Sequence, residues 1–228
     1  MARNRSMKKE NALALLSGGL DSAVAAAMAV RRYSLVQAIF FDYGQLAAER
    51  EKSASRQIAS FFGMEHRCID LPWLGSFSGS ALTGSGSDNG KLEEGGAGAV
   101  WVENRNGIFL NIAAAVAVRS GCSVVITGFN LEEAGEFPDN SREFMDAVNR
   151  ALRLGEINRV RVESPTVDLS KREIVREGIE LEVPWSSLWS CYRGKKLMCG
   201  RCQSCLRLKN AIRGSRADEL ITFEGEKV

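Results

Sequence analysis

Residues 12–22 constrain the fold of this chain more than any other stretch, and they read Ala-Leu-Ala-Leu-Leu-Ser-Gly-Gly-Leu-Asp-Ser. An apolar run stops at Ser17-Gly18-Gly19, and an alanine-rich run from Ala23 to Val30 follows. This order predicts a buried strand, a tight turn and the start of a helix. The glycines leave room for a ligand and permit positive φ angles. Hydroxyl groups and free amides at the start of a helix would suit a pyrophosphate.

The turn matches neither the Walker A loop nor the Gly-x-Gly-x-x-Gly loop of dinucleotide-binding domains. Its Ser-Gly-Gly-x-Asp-Ser sequence resembles the pyrophosphate loop (PP-loop) of the N-type ATP pyrophosphatases. That resemblance implies cleavage of ATP between its α and β phosphates, with adenylation of an oxygen atom. The alternative is a plain strand–turn–helix unit whose turn residues are polar.

A second buried strand is predicted for Leu35 to Phe41, which are almost continuously apolar. It ends in Asp42-Tyr43-Gly44-Gln45. Ligands of open parallel sheets bind along the carboxyl edge of the strands, so we expect Asp42 and Tyr43 to meet an adenine and a ribose. The alternative is a polar turn that caps the next helix.

The rest of the chain continues the alternation of strands and helices. The pattern predicts helices over 46–62, from about 105 to 119 and up to about 154, and strands over 64–71, 123–127 and 159–163. Ser170 and Glu173 have the spacing of a capping box that opens another helix. We therefore expect an α/β fold with a Rossmann-like parallel sheet.

Residues 75–99 interrupt this alternation, because 13 of the 25 are Gly or Ser. We expect a flexible inserted loop that contributes nothing to the core, serving as a lid over the active site or as a tolerated insertion.

Cationic side chains are predicted in the first turns of helices. Arg105 and Lys171 oppose the helix dipole there, so a carboxylate or phosphate ligand would explain their positions. Simple solvation or a surface salt bridge would also do so. Asp139 precedes a predicted helix, as a cap or as a substrate contact.

Four cysteines cluster near the carboxyl end, with seven, two and two residues between them. They are Cys191, Cys199, Cys202 and Cys205. Four sulfur ligands favour a closed structural zinc site, and an iron–sulfur cluster is the rival. We expect a zinc-binding helical subdomain over 183–228, after an α/β domain over 8–182. Cys68 and Cys122 are expected in the core.

Charge, apolar runs and histidine content limit the classes of function that are open to this chain. The net charge of +2 is too small to indicate nucleic-acid binding, and the basic residues around the cysteines are typical of a solvated face. No apolar run is long enough for a membrane span, and we expect a cytoplasmic protein. His66 is the only histidine, expected inside a strand, which argues against Ser-His and Cys-His catalysis.

Taken together, the PP-loop, the Asp42–Gln45 turn, Arg105-Asn106, Lys171 and the four cysteines resemble the QueC (ExsB) family of queuosine-pathway enzymes. The resemblance covers nearly the whole chain. It implies an adenine nucleotide alpha hydrolase-like fold and a homodimer. The implied reaction uses ATP, Mg and ammonia to convert 7-carboxy-7-deazaguanine to 7-cyano-7-deazaguanine through adenylated intermediates.

The resemblance also implies roles for individual residues. Nucleotide and Mg would be held by Leu16, Ser17, Gly18, Gly19, Leu20, Asp21, Ser22, Asp42, Tyr43 and Gln45. The acceptor substrate would meet Arg105, Asn106 and Asp139, and catalysis would use Asp21, Ser22, Arg105 and Lys171.

Two departures from the family pattern lie near the expected acceptor site. Glu103 stands where the family usually has proline, and Asn140-Ser141 follow Pro138-Asp139 in place of Cys-Arg. Another PP-loop enzyme that adenylates a different carboxylate or a tRNA base is therefore an alternative. A zinc-ribbon nucleic-acid-binding protein is the non-enzymatic alternative.

Overall fold

The computed structural model describes residues 10–83, 90–155 and 159–225. Its strands and helices are, in chain order, β1 Asn11–Leu15, α1 Leu20–Arg32, β2 Leu35–Asp42, α2 Ala48–Phe61, β3 Glu65–Asp70, α3 Pro72–Phe77, α4 Lys91–Glu94, α5 Gly96–Ala99, α6 Arg105–Arg119, β4 Val124–Ile126, α7 Leu131–Glu136, α8 Arg142–Gly155, β5 Arg161–Glu163, α9 Lys171–Glu180 and α10 Gln203–Ile212. Short 3₁₀ turns lie at Pro138–Asn140, Trp185–Ser187 and Arg216–Glu219.

The strands form one parallel sheet in the order β3-β2-β1-β4-β5. In the middle of the sheet, Ala14 of β1 lies opposite Ala38 of β2 on one side and Ile126 of β4 on the other. The strand order reverses direction at β1, which is where ligands bind in sheets of this kind. The predicted α/β class with a parallel sheet is confirmed, and the PP-loop follows the strand at this switch point.

Helix α1 packs closely against its neighbours because most of its buried residues are small. Ala23, Ala25, Ala26 and Ala27 are all buried. Asp21 lies in its first turn, and Arg31 and Arg32 lie in its last turn, so charges of the favourable sign flank both ends of the helix dipole. The alanine run therefore fixes the helix amino terminus close to the end of β1.

The expectation of an unpacked loop over 75–99 is wrong for the residues that the structure describes. Leu92 in α4 is completely buried, and Ala81 and Leu82 are buried as well. The backbone of Leu82 is tied to Leu46, whose amide donates to the Leu82 carbonyl at 2.8 Å. A few apolar side chains among the Gly and Ser residues are enough to anchor the segment. Residues 84–89 lie outside the described residues.

The two cysteines outside the cluster of four lie in different environments. Cys68 is not a core residue: it lies half-exposed on the edge strand β3, with its thiol 3.4 Å from Asp70 Oδ1. Cys122 is buried as expected.

Helix α7, which was not predicted, is capped by Asn130, whose Oδ1 accepts a hydrogen bond from the Glu133 amide at 3.0 Å.

The carboxyl-terminal residues join the main core. The four cysteines, Leu208 and Ile212 belong to the same cluster of buried side chains as the sheet. The division into 8–182 and 183–228 stays a prediction. No helix in the described ranges has the length and apolar character needed to span a membrane.

Candidate active site

The PP-loop is a tight turn held together by its own side chains. Gly18 has a φ of +88°, and a Cβ atom built there would lie 2.8 Å from both the Ala54 Cβ and the Glu51 carbonyl oxygen. Ser22 Oγ accepts a hydrogen bond from the Ser17 amide at 3.2 Å and donates to the Gly19 carbonyl at 3.0 Å. Only glycine combines this φ with this close approach of α2. These bonds and the glycine therefore define the shape of the loop.

Contacts from distant parts of the chain hold the loop in place. Ser55 Oγ in α2 donates to the Leu16 carbonyl at 2.6 Å and lies 2.8 Å from His66 Nε2. The Trp189 amide donates to the Gly18 carbonyl at 2.9 Å. The single histidine thus lies in β3, as expected, and supports the loop indirectly through Ser55.

Lys171 and two carboxylates form a buried cluster beside the loop. Its Nζ bonds Asp21 in the loop and, at 2.7 Å, Glu133 Oε1 in α7. Burial opposes the charge on Lys171, but the attraction of the two carboxylates outweighs it and raises the pKa of the ammonium group. Asp21 Oδ1 is buried and has no hydrogen-bond partner among the described residues. A buried oxygen of this kind suits a cation, so this cluster fits a Mg²⁺ ion bound with a phosphate.

The backbone after β4 brings α7 close to the loop. A Cβ atom on Gly128 would lie 2.7 Å from the Asp21 carbonyl carbon and from the Ser22 amide nitrogen. A side chain here would displace the PP-loop. Gly128 therefore lets the chain pass beside Asp21 and place Glu133 opposite it.

Two adjoining cavities open on either side of the loop. The first, which we call the apolar cavity, is walled at the carboxyl ends of β1, β2 and β4 by Leu15, Leu16, Ile39, Phe41, Phe109 and Phe129. The second, which we call the aromatic cavity, is walled by Trp101, Phe137, Asp139, Trp189, Tyr192 and Arg207. Both cavities are lined by Ser17, Gly19, Asp21, Glu51, Arg105, Glu133 and Asn140. The loop and its neighbours therefore form the boundary between two binding spaces.

The residues of the Asp42–Gln45 turn differ in whether they line a cavity. Tyr43 is buried and lines the apolar cavity, and burial raises its pKa. Gln45 also lines that cavity, but its amide group is used within the protein, bonded to the Tyr43 amide, the Phe41 carbonyl and Glu51. Asp42 lines neither cavity, and its Oδ1 accepts a hydrogen bond from the Gly44 amide at 3.1 Å. This bond lies within the turn, and no side chain of the turn caps α2, which begins at Ala48.

The residues expected at the acceptor lie together between the two cavities. Arg105 begins α6 and donates to Tyr43 Oη at 3.3 Å. Asn106 Nδ2 donates to the Asp139 carbonyl at 3.3 Å, and Asn140 Nδ2 donates to Asp139 Oδ1 at 3.2 Å. Burial raises the pKa of Asp139, against the attraction of Arg105. This group presents one cation, two amides and one carboxylate to a ligand.

The two departures from the family pattern differ in their relation to the site. Glu103 is exposed and lines neither cavity. Asn140 is buried, lines both cavities and contacts Asp139. Only the change at Asn140 therefore touches the expected acceptor pocket.

The four cysteines form a compact, buried cluster. The Sγ atoms of Cys191, Cys199, Cys202 and Cys205 all lie within 4.8 Å of one another. Backbone amides point at the sulfurs: those of Arg193 and Cys199 donate to Cys191 Sγ at 3.3 and 3.4 Å, and that of Cys202 donates to Cys199 Sγ at 3.3 Å. Such donors stabilise thiolates. Four buried sulfurs fit a tetrahedral metal ion and leave no position for water.

The basic residues around the cysteines are partly neutralised by acidic ones. Glu93 in α4 pairs with Arg193 at 2.8 Å and with Arg201 at 3.2 Å. Arg207 pairs with Glu136 in α7. Arg193 and Arg207 are partly buried in these ion pairs, whereas the side chain of Arg201 is 59% exposed, as expected for a solvated face.

Sequence reasoning missed several residues that line the cavities. Glu51 lies in α2 and Glu133 in α7, and both border the two cavities. Trp101 and Phe137 stack with ring centroids 6.0 Å apart and an angle of 11° between their planes. They come from loops that are far apart in the chain, so no local sequence pattern indicates that their rings stack. The signal available for Glu133 was its position shortly after β4, at the carboxyl edge of the sheet.

Similar folds occur in solved structures. One is a 4-thiouridine synthetase–RNA complex with bound ATP, which matches with a TM-score of 0.50 and 22% identity over 76% of this chain and 41% of that chain. Another is a predicted subunit of tRNA methyltransferase from Methanocaldococcus jannaschii, with a TM-score of 0.51 and 12% identity over 95% and 94% of the two chains. These likenesses support the α/β fold with a parallel sheet.

Sequence similarity is much closer to one family. The model described as queuosine biosynthesis protein QueC matches residues 11–215. The 7-cyano-7-deazaguanine synthase of Pelotomaculum thermopropionicum is 46% identical over 211 residues, 88% of this chain and 96% of that protein. The enzyme of the same name from Carboxydothermus hydrogenoformans is 45% identical over 214 residues, 90% of this chain and 100% of that protein. This chain therefore belongs to the QueC family of queuosine biosynthesis proteins.

Proposed function

We propose that this protein is a 7-cyano-7-deazaguanine synthase. ATP adenylates the carboxylate of 7-carboxy-7-deazaguanine, ammonia converts the adenylate to an amide, and a second adenylation activates the amide oxygen so that loss of AMP leaves the nitrile. A carboxylate is a poor electrophile, and adenylation gives it a good leaving group. Relatives that carry this name support the assignment. The observation that carries it is a PP-loop bordered by two adjoining cavities with different walls.

The apolar cavity is the proposed site of the adenine ring. Phe41 and Phe109 stack in its wall with centroids 4.4 Å apart, and apolar walls of this kind bury a flat base. The α phosphate would then lie beside the PP-loop, where Ser17, Gly19 and the amides at the start of α1 face the cavity boundary. Leu16, Gly18, Leu20 and Ser22 support this site as neighbours in the loop.

Asp21 and Glu133 are the proposed holders of Mg²⁺. Asp21 Oδ1, which is buried and has no hydrogen-bond partner among the described residues, supports this assignment. A bound Mg²⁺ would neutralise phosphate charge and polarise the phosphoryl oxygens. Lys171 lies against both carboxylates, and its ammonium group is placed to stabilise the departing pyrophosphate.

The aromatic cavity is the proposed site of the deazaguanine. The flat rings of Trp101 and Phe137 border a space suited to a planar heterocycle. Asp139 provides an acceptor for the N–H groups of a guanine-like ring. Arg105, at the boundary of the two cavities, is placed to hold the substrate carboxylate or the charge that develops during adenylation. Asn106 positions Asp139 through the Asp139 carbonyl.

The cysteine cluster is proposed to hold a structural zinc ion. Its closed set of four sulfurs fits that role. Trp189 and Tyr192, which flank Cys191, line the aromatic cavity. The metal site would thus shape the acceptor pocket without taking part in the reaction.

We also propose a homodimer in the cytoplasm, with an α/β domain over 8–182 and a zinc-binding unit over 183–228. The dimer rests on the family resemblance alone, and light scattering on the purified protein tests it. Limited proteolysis after zinc removal tests the division, since selective loss of the carboxyl-terminal unit is expected.

A nucleotide-product assay tests the proposed function. The purified protein is incubated with ATP, Mg²⁺ and ammonium, with and without 7-carboxy-7-deazaguanine. AMP and pyrophosphate should appear only when the acid is present. AMP release that does not depend on this acid would contradict the assigned acceptor, and release of ADP would contradict adenylation.

A further inference from the structure

Glu51 is a carboxylate at the junction of the two cavities, where none of the described residues forms a salt bridge with it. It lies near the start of α2, four residues before Ser55, so both side chains lie on the helix face toward the PP-loop. The Ser55 bond to Leu16 and the contact of α2 with Gly18 fix this face. Gln45 Nε2 donates to Glu51 Oε2 at 2.9 Å. The carboxylate is therefore held in a fixed position facing the site.

The surroundings of Glu51 bring the pKa of its carboxyl group close to neutral pH. Burial raises its pKa to about 7, with the hydrogen bond from Gln45 and the attraction of Arg105 in α6 opposing that rise and the repulsion of Asp42 in β2 adding to it. Tyr43 also faces it, with a pKa that burial raises. A carboxylate that served only to accept the Gln45 bond would be better replaced by a neutral amide. A carboxylate that lies at the junction of two cavities and ionises near neutral pH is suited to proton transfer.

The other carboxylates of the site already form ion pairs or hydrogen bonds with neighbouring side chains. Asp21 and Glu133 are bonded to Lys171. Asp139 is bonded to Asn140 and lines only the aromatic cavity. The acyl carbon of an adenylated substrate must lie where the α phosphate and the acceptor meet, which is the boundary that Glu51 lines. Glu51 is thus the carboxylate placed to face a nucleophile that attacks this carbon.

We propose that Glu51 accepts the proton that the nitrogen nucleophile loses during formation of the amide. In this step the lone pair of ammonia forms a bond to the acyl carbon. The nitrogen then gives a proton to the Glu51 carboxylate, the carbonyl double bond re-forms, and the bond to AMP breaks with its electron pair leaving on the AMP phosphate. The products are the amide, AMP and protonated Glu51. This proposal rests on the proposed function.

The test separates adenylation from nitrogen transfer in Glu51→Gln, with Glu49→Gln as the matched control. Glu49 is exposed on the same helix. Hydroxylamine is a strong nucleophile whose attacking nitrogen becomes more acidic than that of ammonia, so water can take its proton. With hydroxylamine the Glu51 variant should therefore form AMP and hydroxamate at the wild-type rate. With ammonia, its single-turnover rate of amide formation should fall by about 100-fold or more. The control variant should match the wild type with both nucleophiles.

The pH dependence provides a readout that a purely structural role would not move. Free ammonia is held constant by adjusting total ammonium at each pH. The wild-type rate of amide formation should rise through about pH 7, where Glu51 ionises, and the rate of Glu51→Gln should lack that rise. Equal losses with hydroxylamine and ammonia, an unchanged ammonia rate, or a retained rise would each overturn the proposal. Failure of the wild-type protein to form AMP with the acid would instead overturn the proposed function.

Discussion

Lys171 at the start of α9 forms an ion pair with Asp21 in the PP-loop, although 150 residues separate them in the chain. A cation in the first turn of a helix is unfavourable for that helix. The contact with Asp21 and the second contact with Glu133 explain why it is there. The expected anionic partner of Lys171 is therefore, in the free protein, a pair of the protein's own carboxylates.

Lys171→Met should destabilise the protein, because it leaves two carboxylates buried together without a cation. We expect a loss of about 3 kcal/mol in the free energy of unfolding, measured by urea denaturation near pH 7. Added Mg²⁺ should restore part of that loss if Asp21 and Glu133 bind it. Arg172→Met, a change at an exposed neighbour, is the control and should have little effect. Equal stability of the two variants would contradict the importance of the buried cluster.

Glu51→Gln should stabilise the free protein at alkaline pH. The pKa of Glu51 is raised from 4.5 to about 7 in the folded state, so the folded state binds a proton more tightly than the unfolded state does. The wild type therefore loses stability as pH rises from about 4.5 to about 7, and the glutamine variant lacks this loss. Above that range the variant should be more stable by about 1–3 kcal/mol. A difference in unfolding free energy that does not change between pH 5 and 8 would contradict the raised pKa.

Cys202→Ala should lose bound zinc and stability together. Structural metal binding contributes directly to the free energy of folding, and the cysteine cluster adjoins Trp189 and Tyr192 in the wall of the aromatic cavity. Metal content by mass spectrometry and the melting temperature measure the two effects. Cys68→Ala, at a half-exposed thiol outside the cluster, should keep both values. Iron in place of zinc in the wild-type protein would contradict the assigned metal.

Gly18→Ala should be much more harmful than Gly63→Ala. Both glycines have positive φ angles, +88° and +68°, but an added Cβ at Gly63 meets nothing within 4 Å, whereas one at Gly18 meets the backbone of α2. The Gly63 change should cost about 1 kcal/mol, from the φ angle alone. The Gly18 change should cost more and should lower ATP turnover by moving α2 away from the loop. Similar unfolding free energies for the two variants would show that the close approach is unimportant.

The fold and the PP-loop could be predicted because their signals are local. Ser17 to Ser22 lie within one turn, and Leu35 to Phe41 form a single apolar run, so neighbours in sequence determine both structures. The capping box of Ser170 and Glu173 is confirmed for the same reason.

Other parts of the site depend on contacts between distant residues. Glu51 reaches the site because α2 packs on Gly18, and Glu133 because Gly128 allows α7 to approach Asp21. Composition also misled at 75–99, since Glu93 binds Arg193 and Arg201 and Leu92 is buried despite the surrounding glycines. Average composition does not show where one apolar or charged side chain finds a partner.

The most direct test of the proposed reaction follows the nitrogen atom into the product. The protein is incubated with ATP, Mg²⁺, 7-carboxy-7-deazaguanine and ¹⁵N-labelled ammonium, and the deazaguanine products are identified by mass spectrometry. We predict 7-cyano-7-deazaguanine that carries the label, formed together with AMP. An amide as the final product, or an unchanged acid beside released AMP, would contradict the assignment of this chain as a nitrile-forming synthase.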